Sequence, residues 1–449
     1  MKIYRIAVLA VLPLMLAGCS IFKKYSAPDE TPSGVFGEEV SVSDRDSTLG
    51  DLSWREFFTD PVLERLIDSA LVRNTDLKVA ELRAREAEIA LGASKLMFLP
   101  GISFTPYFNI LNEQSYTLPL SLSWDNDGLG SLMNRKREAQ AKAAQALDSK
   151  LSVQSRMIAN LADAYYQLLL LDRQYQIMLA TEKVWTSVYE TQKALMENGK
   201  SYSTSVDQMA SSLLKVKIQM KDIADQIKDV EYSICLMLNQ VPQHIERSGW
   251  GEHPITAEFN GGVPASLLQK RPDVKVAGKN VEAAYYVKAQ ALGAMFPSLS
   301  LSGALGWTTD GMKLKDPARM VYDAVVSLAQ PVFARGQLQA KYRISKLQQE
   351  EAARIYSQTL LDAGNEVNKS LRACQLSSEK GELYAAQVKV LEKAYSATTE
   401  LMRNGKASYI EVLIAQDNLL NAQLSEAANM YSGTIGLITL YISLGGGVK

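Results

Sequence analysis

Ser298-Leu299-Ser300-Leu301-Ser302-Gly303-Ala304-Leu305-Gly306-Trp307 is the stretch on which the fold turns. Leu299, Leu301, Leu305 and Trp307 alternate with Ser298, Ser300 and Ser302, a period of two that belongs to a strand. The run is about nine residues, the length at which a tilted strand crosses a bilayer. Apolar side chains outward and small hydroxyls inward are the pattern of a water-filled transmembrane β-barrel. A soluble hairpin with one buried face would read the same way. Downstream, Tyr322, Ala324, Val326 and Leu328 alternate with Asp323 and Ser327. Trp307 closes the run, as Trp124 closes its counterpart upstream. At matching strand ends the two indoles suit a membrane interface, or else packing within the sheet or a belt.

The same hairpin is written earlier in the chain. Ile102, Phe104, Phe108 and Ile110 alternate with Ser103, Thr105 and Asn109, and Leu118, Leu120, Leu122 and Trp124 alternate with Ser121 and Ser123. Pro106 and Pro119 fit poorly, because proline donates nothing to a ladder; strand ends or bulges are the places left for them. A shift of 197 residues lays Asp76-Leu77-Lys78-Val79-Ala80 on Asp273-Val274-Lys275-Val276-Ala277, and Pro100 on Pro297. A shift of 206 lays Ser121-Leu122 on Ser327-Leu328, Gly130 on Gly336, and Asn198-Gly199-Lys200 on Asn404-Gly405-Lys406. The nine extra residues of the second copy fall between Trp307 and Asp323, in a stretch that reads as a hairpin loop.

Around each hairpin the period becomes helical. Residues 74–98 are rich in Ala, Leu, Glu and Arg. From Arg137 to Glu197 there is neither Gly nor Pro, and apolar residues recur at helical spacing through Leu151, Ile158, Leu161, Tyr165 and Leu168. Such a helix is about 90 Å long. It stops at Asn198-Gly199, and a return helix follows over 203–239. The second copy repeats this with 338–403 and 408–443. The expected protomer is thus a four-strand membrane piece on a long helical column. Four strands cannot close a barrel in lipid, and open edges there leave backbone groups unpaired. Two protomers would give eight strands and a filled interior; three would give twelve and an open lumen.

The N-terminal stretch reads as a secretion signal over 1–18. Lys2 and Arg5 precede the apolar run from Ile6 to Leu16, and Leu16-Ala17-Gly18-Cys19 resembles a bacterial lipobox, with Cys19 as the acylated residue. An ordinary signal peptide that happens to contain a cysteine is the alternative. Ser20 carries no acidic inner-membrane retention signal, so the outer membrane is expected. Formal charge is −1, and −3 without Lys2 and Arg5, which speaks against a nucleic-acid partner. No later segment offers 18 uncharged apolar residues. The other cysteines, Cys235 and Cys374, could pair, or be small buried residues in helices. His244 and His253, the only two histidines, stand in a connector and leave little for a metal site or an acid-base dyad; no enzyme, metal or cofactor is expected.

Five motifs in order now resemble a family. They are Trp54-Arg55-Glu56-Phe57-Phe58-Thr59-Asp60-Pro61, Arg271-Pro272-Asp273-Val274, Phe296-Pro297, Ser327-Leu328-Ala329-Gln330-Pro331-Val332-Phe333 with Gly336, and Leu440-Tyr441 with Leu444-Gly445-Gly446-Gly447. The chain resembles a TolC-type outer membrane factor of the lipoprotein, NodT-like subgroup. The resemblance implies a mainly α protein with membrane β: a two-repeat protomer giving four strands to a trimeric twelve-stranded barrel and long helices to a twelve-helix periplasmic tunnel. It divides the chain into the signal 1–18, a lipid-anchored belt segment 19–73, repeats over 74–240 and 267–449, and a belt connector over 241–266. It implies an efflux or export exit duct in the outer membrane. Its partners would be a periplasmic membrane-fusion adaptor docked on the tips Asn198, Gly199, Lys200, Asn404, Gly405 and Lys406, and an inner-membrane pump. Glu411 aligns with one carboxylate of the family's entrance ring, while Ile414 stands where the other would be. Gly278 replaces the usual Glu, and the turn from Asp125 to Gly130 departs from the family's Asp-Leu-Phe-Gly. A long lipid-anchored coiled-coil adaptor without a pore is the alternative function; it gives no reason for bilayer-length alternating strands.

Overall fold

A computed structural model describes residues 25–26, 49–109, 115–126, 130–255, 265–310 and 319–449. The signal 1–18, Cys19, Ile110, turn residues 127–129 and connector residues 256–264 lie outside them. In chain order the elements are α1 (Trp54–Phe57), α2 (Pro61–Arg73), α3 (Thr75–Leu96), β1 (Gly101–Phe104), β2 (Tyr107–Asn109), β3 (Ser115–Asn126), α4 (Ser131–Glu197) and α5 (Ser203–Met237). They continue as α6 (Pro272–Gly293), β4 (Ser298–Asp310), β5 (Arg319–Ala329), α7 (Gln337–Arg403) and α8 (Tyr409–Ser443). The duplication holds to the residue: α4 and α7 each have 67 residues, α5 and α8 each 35, α3 and α6 each 22. Among the described residues no helix is long and apolar enough to cross a membrane.

The long helices start at their glycine turns. Gly130 and Gly336 have φ of 82° and 76°, a conformation that favours glycine. Their carbonyls accept the N–H groups of Asn134 and Ala340, each at 2.9 Å. The first long helix therefore opens at Ser131 rather than at Arg137. Despite its unusual sequence, the first turn ends in the same glycine geometry as the second.

The strands form one antiparallel sheet in the order β1-β3-β4-β5, with β2 also on β3. The expected first strand is broken at Thr105-Pro106. Gly101–Phe104 pairs with Leu120–Ser123 and Tyr107–Asn109 with Ser115–Thr117 in one continuous register. Pro119 lies at the level of that gap, so both prolines fall where the ladder is already interrupted. On its other side Pro119 faces Gly306, where a Cβ would come within 2.8 Å of the proline Cα. The insertion of the second copy is only partly a loop. β4 runs to Asp310 and β5 starts at Arg319, so extra residues lengthen the hairpin, and 311–318 lie outside the described residues.

Register settles the faces. Leu118, Leu120, Leu122 and Trp124 stand opposite Trp307, Leu305, Gly303 and Leu301, while Ser121 and Ser123 stand opposite Ala304 and Ser302. The β4–β5 ladder continues the apolar row through Tyr322, Ala324, Val326 and Leu328 and the small row through Ser300 and Ser327. Nothing described covers the apolar face: Ile102 is 69% exposed, Tyr322 82% and Val326 68%. A soluble hairpin would bury that face. Trp124 and Trp307 are not at matching levels as expected; Trp124 pairs with Leu301 near the helical end and Trp307 with Leu118 toward the hairpin tip.

The chain divides into two compact units, and each draws on both copies. One holds Ala80–Lys150 and Asp273–Thr359 with the N-terminal Tyr25. The other holds the helices' remaining lengths, the connector and α1–α2, around a core that includes Phe57, Phe58, Leu63, Ile67, Ile158, Leu161 and Tyr441.

Candidate functional site

The two helix-turn tips are built alike. At the end of α4, Gly199 has φ of 73°, its N–H donates to Met196 O at 2.9 Å, and Lys200 N–H donates to Leu195 O at 2.8 Å. At the end of α7, Gly405 has φ of 71°, its N–H donates to Met402 O at 2.9 Å, and Lys406 N–H donates to Leu401 O at 2.8 Å. Both are Schellman stops, in which a left-handed glycine turns two amides back onto the last carbonyls. Asn198 and Asn404 reinforce them by donating from Nδ2 to Ala194 O and Glu400 O at 2.7 and 2.9 Å. The Asn-Gly-Lys sequence is thus first a helix stop, and its side chains are exposed.

The tips differ in how the return helix starts. In the second copy Ser408 caps α8 and Glu411 completes a capping box, its carboxylate accepting from the Ser408 hydroxyl at 3.1 Å and the Ser408 N–H at 3.3 Å. In the first copy Tyr202 stands at the cap of α5 and supplies no side-chain bond. Glu411 therefore has a local structural task and stays exposed beside it. The two return helices are joined by Tyr409, whose hydroxyl donates to Gln208 Oε1 at 2.7 Å.

The motif residues near the chain ends gather in the second unit. Asp60 caps α2 ahead of Pro61, accepting from Val62 N–H at 2.8 Å and Leu63 N–H at 3.4 Å. It also accepts the Tyr165 hydroxyl at 2.7 Å and the Ser248 hydroxyl at 2.9 Å, while Ser248 N–H donates to Tyr165 Oη at 3.1 Å. This buried carboxylate ties the N-terminal segment, the long helix and the connector together. Burial and the acceptor Asp60 hold the Tyr165 hydroxyl well above the usual tyrosine range. Next to Ser248 in sequence, Arg247 forks onto Asp172 at 2.5 and 2.9 Å and reaches Glu231 at 2.5 Å.

Arg271, of the Arg-Pro-Asp-Val motif, donates to the Ser443 carbonyl at 3.1 Å and pairs with Glu366 at 2.7 Å, so it closes the C-terminal end of α8. Tyr441 stacks on Phe57 with centroids 4.1 Å apart, donates to Leu52 O and accepts from Gly447 N–H, both at 2.9 Å. A Cβ on Gly446 would sit 2.3 Å from the Tyr441 ring, so the chain can pass only as glycine. The motifs at the two chain ends are one packed structure. Sequence reading singled out Asp60, Arg271 and Tyr441 but missed Tyr165, Ser248, Arg247, Asp172 and Glu231. The one usable signal was Asp60-Pro61 as a helix start.

Cys235 and Cys374 are free, the first buried, and burial pushes the Cys374 thiol up to about 11. Among the described residues no group of His, Cys, Asp and Glu is placed to hold a metal ion. Cys19, the expected acylation site, lies outside them.

A family model described as outer membrane efflux protein matches residues 66–240 and 263–446. The antibiotic efflux pump outer membrane protein ArpC of Pseudomonas putida is 26% identical over 98% of this chain and 95% of its own length. The probable outer membrane lipoprotein SilC of Salmonella typhimurium is 24% identical over 96% of both chains. Among solved structures, the open-state MtrE outer membrane channel of Neisseria gonorrhoeae is 20% identical and superposes with a TM-score of 0.85 over 96% of this chain and 99% of that one.

Proposed function

Since the chain belongs to the outer membrane efflux protein family, it is an outer-membrane efflux channel subunit, and we propose that it closes as a lipid-anchored homotrimer serving as the exit duct of a tripartite pump. The observation that carries this reading is the sheet. Its leucines, both tryptophans, Phe104 and Phe108 share one face, its serines share the other with Val325 among them, and β1/β2 and β5 have no described neighbour on their outer sides. Lipid suits the first face and a wet lumen the second. An unpaired edge in lipid costs several kcal/mol for each orphaned backbone group, so β5 of one protomer pairs with β1 and β2 of the next. Three protomers then supply twelve membrane strands. The test is heat-resistant oligomer bands together with single-channel conductance in planar bilayers. Purified protein that migrates only as monomer and conducts nothing would overturn the reading.

The finer parts of the proposal concern named residues. The duplicated tips around Gly199 and Gly405 receive a periplasmic adaptor, supported by their exposed side chains and matched geometry. Glu411 lines the entrance as one member of a ring of three carboxylates. Cys19 carries the lipid, so Cys19→Ser abolishes incorporation of labelled palmitate; persistence of the label would sink the anchor. One lipid is a modest tether beside twelve strands, so the unlabelled variant still forms the channel.

A further inference from the structure

Only two residues ahead of Leu49 are described, and one of them has a built seat. The ring of Tyr25 packs on Tyr285 of α6 with centroids 5.6 Å apart and planes tilted by 54°. Its backbone is hydrogen-bonded to the Tyr286 hydroxyl, and Tyr356 of α7 and Glu282 stand close by. Burial among them pushes the Tyr25 hydroxyl up to about 12. Gly278, where the family resemblance leads one to expect Glu, opens this place: its Cβ position lies 3.5 Å from the Tyr356 ring. A longer side chain there would compete with that ring. Two cations flank the seat, Lys288 with Nζ 5.2 Å from the centre of the Tyr285 ring and Arg137 with Cζ 5.9 Å from that of Tyr286.

We propose that Tyr285, Tyr286 and Tyr356 form the docking site of the acylated N-terminal arm, with Tyr25 as its plug, and that this contact sets the level of the lipid anchor relative to the base of the strands. The inference rests on the lipidation of Cys19 proposed above. Six peptide units separate Cys19 from Tyr25, a reach of at most about 20 Å. Tyr285 precedes Gly293, the last residue of α6, by eight positions, about 12 Å along the helix, and β4 opens at Ser298. The anchor can therefore reach the membrane level at which β4 begins, and little farther. A seated arm holds the chain at the membrane with its strands at the right height before they pair.

The test compares Tyr25→Ala and Tyr25→Phe in the full-length chain, each with Cys19 intact and with Cys19→Ser. The readout is the rate at which heat-resistant oligomer appears in the outer membrane, with palmitate labelling in parallel. With Cys19 intact, Tyr25→Ala slows assembly roughly three- to tenfold, the range of lost aromatic contacts, while Tyr25→Phe stays within about twofold of the parent. In the Cys19→Ser background Tyr25→Ala makes no further difference, since there is no anchor to position. An equal loss in both backgrounds makes Tyr25 a packing residue only and overturns the proposal, as does no loss in either. A parent chain that takes up no palmitate refutes the lipidation reading separately, and the proposal with it.

Discussion

At Glu411 one side chain carries two tasks that can be separated. Its carboxylate completes the capping box of α8 with Ser408, and in a trimer three copies of it would stand around one axis. Removing the whole side chain would mix loss of the cap, about 1 kcal/mol, with loss of charge. Glu411→Gln keeps an acceptor for the Ser408 N–H and removes only the charge. We expect the variant to form oligomers of unchanged heat resistance and to lose cation selectivity, because a narrow mouth focuses the field of a charged ring. Reversal potential in a salt gradient reads this directly, and an unchanged value would place the carboxylate outside the lumen. The cap is a local feature, Ser408 with Glu411 three residues on, but the sequence reading took Glu411 only as an entrance carboxylate and did not draw it. The partners of Asp60 were not legible, since Tyr165 and Ser248 are 105 and 188 residues away in sequence.

The sheet is the element that makes the channel, and its two faces differ in what they tolerate. Phe104 and Leu301 stand on the apolar face, Ser103 and Ser300 on the small-residue face. Lysine at either of the first pair should cut the yield of heat-resistant oligomer, more at Phe104, since a midplane Lys on the lipid side costs roughly 2–4 kcal/mol, and less at Leu301, because the penalty falls toward the helical end of the strands. Lysine at either of the second pair should be tolerated, with its ammonium in lumen water. Equal tolerance at all four positions would end the case for membrane strands here. The two tryptophans add a scale to this face. Trp124 pairs with Leu301 and lies six positions along β4 from Trp307, about 20 Å at strand rise. With strands tilted by roughly 35–45° this is about 15 Å along the bilayer normal, less than the roughly 25 Å between the two aromatic girdles of a membrane barrel, so the indoles mark two different heights on the apolar face rather than both rims. Trp124 is also held by the Phe98 carbonyl, to which its Nε1 donates at 3.1 Å.

For the whole molecule, the tips are where a partner would be engaged without touching the pore. Gly199→Pro and Gly405→Pro force φ near −65° at positions that sit at 73° and 71°. Each should undo its Schellman stop and lower drug resistance in an efflux assay, while conductance in planar bilayers persists. Resistance that survives both changes would take the adaptor contact away from these turns. Period, duplication and helix stops were open to reading because they depend on neighbours a few residues apart: α5, α7 and α8 fall within two residues of their expected bounds. Alternation likewise put the strand residues it named on their faces, since a strand's side chains point to opposite sides whatever it pairs with, but it left Val325, which stands opposite Ser302, unassigned. Other features depended on residues distant in sequence. The break at Pro106 and the glycine opposite Pro119 follow from register, and register is set between strands. Different heights on the sheet for two tryptophans that each close an alternating run follow from the antiparallel pairing of β3 with β4. The packed cluster that joins Phe57, Tyr441, Arg271 and the terminal glycines exists only once both chain ends meet, because stacking, burial and hydrogen bonding act over a few ångströms and take no account of sequence distance.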